Sequence, residues 1–123
     1  MSLRVGLDLV LTDAIRDSIR DHGDRYLHRI YTADELRDCD FQPDRLAARF
    51  AAKEATMKAL GREDEAVPWR SIEVRRCPSG RPEVVLTGEA AALADRLQID
   101  EVTMSMTHDG SMAAAVVVAQ VSA

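Results

Sequence analysis

The chain has 123 residues, enough for one hydrophobic core and too few for two independent ones. Hydrophobic residues at 46% and charged residues at 30% exclude a disordered or fibrous chain, and a formal net charge of −5 excludes a general nucleic-acid binder, which needs a positive surface. The longest apolar run, Met112 to Ala119, falls well below the roughly 18 residues that cross a bilayer, and Met1 to Leu11 carries Arg4 and Asp8, so neither a membrane span nor a cleaved signal is expected. Cys39 and Cys77 lack metal-ligand spacing and cannot form a disulfide framework, which points to free thiols in a reducing, cytoplasmic setting.

Residues Leu3 to Leu11 alternate with period two, so a strand is predicted with Leu3, Val5, Leu7, Leu9 and Leu11 on one face and Arg4, Gly6, Asp8 and Val10 on the other. The leucine face is expected to enter the core, Leu11 included. Thr12 or Asp13 can cap a helix that turns Ile15 and Ile19 inward and ends at Gly23. Thr32-Ala33-Asp34-Glu35 fits a capping box and starts a short helix. The longest helix, Pro43 to Leu60, is rich in alanine and closed by Gly61. Strands Ile72–Arg76 and Glu83–Thr87 flank the turn Pro78-Ser79-Gly80-Arg81-Pro82. A helix Gly88–Gln98 follows, then strands Val102–Thr107 and Met112–Val121 around Asp109-Gly110, the last strand apolar enough to be central. Hairpins in two places and a helical connection elsewhere predict an α+β fold, a single domain over 1–123 with a largely antiparallel sheet packed by helices.

Along the long helix, Leu46, Phe50, Met57 and Leu60 form one apolar stripe, and Ala48, Ala52, Ala55 and Ala59 form a smooth second face. Glu54 and Lys58 lie one turn apart at the stripe's edge, and Lys53 projects within it near Leu46 and Leu60. A charge in such a place is costly unless paired. By themselves Glu54 and Lys58 read as a solvated i, i+4 pair worth a few tenths of a kcal/mol.

The string Arg49-Phe50-Ala51-Ala52-Lys53-Glu54-Ala55, followed by Lys58-Ala59-Leu60, resembles the signature of the holo-[acyl-carrier-protein] synthase family, the small 4′-phosphopantetheinyl transferases. Val5-Gly6-Leu7-Asp8-Leu9-Val10 is similar to that family's opening strand, and Met104-Ser105-Met106-Thr107-His108-Asp109-Gly110 to its closing Ser-x-Ser-His motif. Tyr31-Thr32-x-x-Glu35-Leu36, Trp69-x-x-Ile72-Glu73-Val74 and Gly80-Arg81-Pro82 extend the likeness over nearly the whole chain.

The resemblance implies transfer of the 4′-phosphopantetheine group from coenzyme A to a serine of an apo acyl carrier protein, with release of 3′,5′-ADP. It implies a magnesium ion held by Asp8 and Glu54, a division that suits a hard cation gripping a diphosphate. Lys58, with Lys53 or Arg49, would balance phosphate charge, and Glu54 or a water on the metal would take the serine proton. Ser105, Thr107 and His108 match coenzyme A contacts, and Gly80, Arg81 and Pro82 match a loop bordering the nucleotide. Carrier docking is implied on the first helix at Arg16 and Arg20, although Asp13, Asp17 and Asp21 interleave with them. Short members of the family are homotrimers with coenzyme A between subunits, and the alanine face, Met104 and Met106 are compatible with that.

Two positions depart from the pattern. Leu11 stands where relatives carry a glutamate three residues after the aspartate, and the glycine-rich turn after the long helix is altered to Gly61-Arg62-Glu63-Asp64-Glu65. Leu11 keeps open an alternative, a noncatalytic relative that binds carrier protein or coenzyme A. A hydrolase built on Ser105, His108 and Asp109 is disfavoured, because Ser105 and His108 fall on opposite faces of one strand and no glycine-flanked nucleophile turn surrounds Ser105.

Overall fold

The computed structural model describes residues 2–61 and 67–122. In chain order these form β1 (Ser2–Leu11), α1 (Thr12–His22), α2 (Asp24–Ile30), α3 (Ala33–Asp38), α4 (Pro43–Ala59), β2 (Ile72–Arg76), β3 (Pro82–Leu86), α5 (Gly88–Arg96), β4 (Ile99–His108) and β5 (Met112–Val121). The architecture is α+β, with antiparallel sheets packed by helices, as the alternation of helices and hairpins predicts. β5 runs between β1 and β4, antiparallel to both, in the central place its apolar sequence calls for. β2 and β3 form a separate hairpin.

Two local readings change. A helix at Asp24–Ile30 is absent from the sequence-based expectation. Gly23, at φ 54°, turns the chain sharply after α1, and Leu27 and Ile30, spaced by three, are both buried. Neither Thr12 nor Asp13 caps α1: Leu11 occupies the cap position, Thr12 is buried as the first helical residue, and Asp13 instead pairs with Arg16. The capping box of α3 forms as expected, with Thr32 N donating to Glu35 Oε1 at 2.9 Å and Glu35 N donating to Thr32 Oγ1 at 3.2 Å.

The strand face that enters the core is the reverse of the expectation. The parity of β1 is right, but Leu3, Val5, Leu7, Leu9 and Leu11 are 59–68% exposed, and Gly6 and Val10 on the other face are buried. The reason lies in α4. Ala48, Ala52, Ala55 and Ala59, each at most 2% exposed, need an equally flat surface, and Ala113, Ala115, Val117 and Ala119 of β5 provide it. Gly6 completes that surface: a Cβ there would stand 1.8 Å from the Ala55 carbonyl oxygen. The alanine stripe, Met104 and Met106 are therefore internal packing and not an external contact face.

Lys53 also departs from its expected place beside phosphate. It is fully buried, its Nζ lying 2.8 Å from Glu35 Oε1 and donating to the carbonyls of Trp69, at 3.1 Å, and Ile72. Glu35 Oε2 in turn accepts Val74 N at 2.9 Å. All three ammonium donors are thus committed to a pin between α3, α4 and β2. Burial lowers the Lys53 pKa and the Glu35 charge opposes that shift. Removing one member of such a pair strands the other charge, so Lys53→Met should reduce unfolding stability by about 3–5 kcal/mol in chemical denaturation. A loss below about 1 kcal/mol, the range of exposed pairs, would show that the pin is dispensable.

Candidate functional site

The contact of Gly6 with α4 brings three charged side chains together at one end of the helix–sheet interface. Asp8 follows Gly6 by two residues and so projects toward the same side of β1. Lys58 Nζ donates to the Leu7 carbonyl at 3.0 Å and to Asp8 Oδ1 at 3.1 Å, bridging helix and strand. The solvated pairing of Glu54 with Lys58 is thus not the main contact of Lys58. The Glu54 carboxyl has its pKa raised, first by burial and then by the negative charge of Asp8, with Lys58 opposing. Arg4, on the same face of β1, donates from Nε to the Ala59 carbonyl at 2.7 Å and ties down the C-terminal end of α4.

The other candidate residues form separate groups. His108, at the end of β4, lies on the helix side of the sheet in the row with Ala113 and Val10. Ser105 and Thr107 lie on the opposite, leucine-bearing face, in rows with Val116 and Leu7 and with Ala114 and Leu9. This separation leaves Ser105 and His108 without the shared face a hydrolase needs. Gly80 and Arg81 are exposed in the β2–β3 turn, and Pro82 opens β3. Arg81 and Pro82 help line a cleft of about 230 Å³ together with Cys77, Glu101, Thr103 and Met104. Met106, not Thr103 or Met104, shares a row with Asp8, so this cleft lies toward the other end of β4.

Arg49 is 3% exposed, and its Nε has no hydrogen-bond partner among the described residues. Leu11, paired with Met112, is on the exposed face and points away from the side that carries Asp8. It therefore does not pack into the core. Arg16 and Arg20 are exposed and paired within α1, with Asp13 at 3.1 Å for Arg16, and with Asp17 at 3.0 Å and Asp21 at 3.1 Å for Arg20. The altered turn after α4 lies, from Arg62 on, outside the described residues. Asp44 was not singled out by sequence reasoning, yet its Oδ2 stands 3.7 Å from His108 Nδ1. Its only sequence signal is an acid in a helical first turn.

A profile of the 4′-phosphopantetheinyl transferase superfamily matches residues 4–117. The chain is 43% identical over 122 residues to a holo-[acyl-carrier-protein] synthase of Koribacter versatilis, covering 96% of this chain and 98% of the relative. It is 42% identical over 123 residues to that of Desulforudis audaxviator, covering 97% and 93%. Among solved structures, the ACPS–CoA complex of Chronobacterium ammoniagenes superposes with a TM-score of 0.87 at 28% identity, covering 100% of both chains. The holo-[acyl-carrier-protein] synthase of Neisseria meningitidis gives 0.86 at 30% identity, covering 95% of this chain and 97% of that one. The fold and the near-full-length sequence matches define a phosphopantetheine-transfer class of protein. This chain belongs to the 4′-phosphopantetheinyl transferase superfamily.

Proposed function

We propose that this chain is a holo-[acyl-carrier-protein] synthase, acting as one transferase domain that moves 4′-phosphopantetheine from coenzyme A to a carrier serine and releases 3′,5′-ADP. The observation that carries the reading is the convergence of Asp8, Glu54 and Lys58 on one junction, in a chain matched over nearly its full length by synthases of that name. The donor set fits magnesium, which takes one or two carboxylates and completes its shell with phosphate oxygens and water. Among the described residues no three or more His, Cys, Asp or Glu side chains cluster, so within these residues the acids that would hold the ion are Asp8 and Glu54. Burial is the main cause of the raised Glu54 pKa and the like charge of Asp8 adds to it, a repulsion that a cation would relieve. Bound there, magnesium supplies charge neutralisation at the diphosphate of coenzyme A.

The chain's own groups do the remaining work. The carrier serine oxygen forms the new bond to phosphorus as the bond to 3′,5′-ADP breaks, and the hydroxyl proton passes to Glu54 or to a water beside it. Lys58, already a cation at Asp8, balances charge on the departing phosphate. The unpartnered Arg49 Nε is a buried donor that a phosphate oxygen would satisfy. Lys53, committed to Glu35, takes no part. Carrier docking at Arg16 and Arg20 needs these arginines to exchange intrahelical acids for those of the carrier.

The leucine face supports assembly as a homotrimer with sites shared between subunits. Five adjacent aliphatic side chains left in water forgo about 1.5–3 kcal/mol each when fully buried, and such patches mark contact surfaces. Ser105 and Thr107 on that face, and Arg81 at the far end of β4, would then meet coenzyme A held beside a neighbour's Asp8 and Glu54. Cys39 and Cys77, both free, support a cytoplasmic setting.

Incubation with coenzyme A, magnesium and apo carriers, followed by weighing of the carriers, tests the reaction. One phosphopantetheine should be added, the gain should vanish in Asp8→Ala and Glu54→Ala, and reversal of Arg16 and Arg20 to Glu should raise KM for carrier more than for coenzyme A. Binding with no gain in mass would favour the noncatalytic relative. For the assembly, light scattering should give three subunits for the protein and one for Leu7→Asp. A monomeric unaltered protein at working concentration would remove the shared site.

A further inference from the structure

The carboxylate of Asp44, at the second position of α4, divides its two oxygens. Oδ1 accepts the Arg45 amide at 2.9 Å, which anchors the side chain to the helix start, and Oδ2 is left facing His108 Nδ1 at 3.7 Å. The acid nearest to His108 in sequence is engaged elsewhere: Asp109 Oδ1 accepts from Ser111 N at 3.1 Å, Ser111 Oγ at 3.0 Å and Met112 N at 3.1 Å, closing the β4–β5 turn. Those same bonds hold the Asp109 pKa below its usual range. Asp44 is therefore the acid that the fold aims at the imidazole. Both side chains are only part-buried, at 35% for Asp44 and 39% for His108, so a ligand can reach the ring.

We propose that Asp44 is a positioning residue for His108: by facing Nδ1 it fixes which edge of the ring turns to the helix and leaves Nε2 directed at a phosphate of coenzyme A. The proposal rests on the reading that His108 contacts coenzyme A. A carboxylate facing one ring nitrogen at 3.7 Å, too far for a hydrogen bond but within ion-pair range, favours the ring orientation that turns the other nitrogen away from it. Without Asp44 the imidazole can turn about its side-chain bonds, and a bound phosphate must restrict that freedom itself.

The test is the dissociation constant for coenzyme A by calorimetry, with steady-state kinetics beside it, in Asp44→Asn, Asp44→Glu, His108→Ala and the double variant Asp44→Asn/His108→Ala. Asp44→Asn keeps an acceptor for Arg45 and removes the charge. It should weaken coenzyme A about two- to fivefold, the worth of one part-exposed ion pair, with kcat little changed. Asp44→Glu should restore much of that loss, and Asp44→Asn should add nothing once His108 is alanine. Unchanged affinity in Asp44→Asn while His108→Ala weakens binding overturns the positioning role alone. Weakening of equal size with and without His108 also overturns it, because it marks Asp44 as a support of the helix only. Unchanged affinity in His108→Ala removes the coenzyme A contact and the positioning role with it.

Discussion

The approach of α4 to β1 at Gly6 sets the geometry on which everything else depends. With hydrogen in place of a side chain, the strand backbone comes close enough to the helix that a Cβ would fall 1.8 Å from the Ala55 carbonyl oxygen and 2.8 Å from the Ala59 amide. Ala55 is adjacent to Glu54 and Ala59 to Lys58, and Gly6 is two residues from Asp8. One close contact thus registers all three charged groups. The alanines of α4 and the small residues of β5 make the approach possible along the rest of the interface, and Arg4 fastens the helix end to the strand.

This packing leaves the sheet two unequal faces. The helix side carries the small residues, the acid pair and His108, and the other side carries a row of leucines beside Ser105 and Thr107. A surface of that size and apolarity calls for a covering partner. The candidate residues are divided between the two faces and the β2–β3 turn, a division that supports the proposed site completed by a neighbouring copy.

Much of this was legible in sequence because it is local. Period two gave β1 its parity and put Asp8 opposite the leucines, Thr32 and Glu35 declared their capping box, and the apolar run of β5 placed it in the centre. What sequence reasoning missed depends on partners far along the chain. Parity says which residues share a face but not which face meets the helix, and hydrophobicity alone chose the wrong one for β1, where close approach outweighed side-chain greasiness. Lys53 read as a phosphate contact because its partner, Glu35, is eighteen residues earlier and its two carbonyl acceptors lie after α4. Asp44 looked like an ordinary first-turn acid, since its partner ends a strand more than sixty residues later.

The most direct test of the central claim is anomalous scattering from manganese in crystals grown with coenzyme A. A single peak should lie within about 2.5 Å of a carboxylate oxygen of both Asp8 and Glu54, beside the diphosphate. A metal peak away from this pair, or two carboxylates turned to separate regions around the bound diphosphate, would contradict the account.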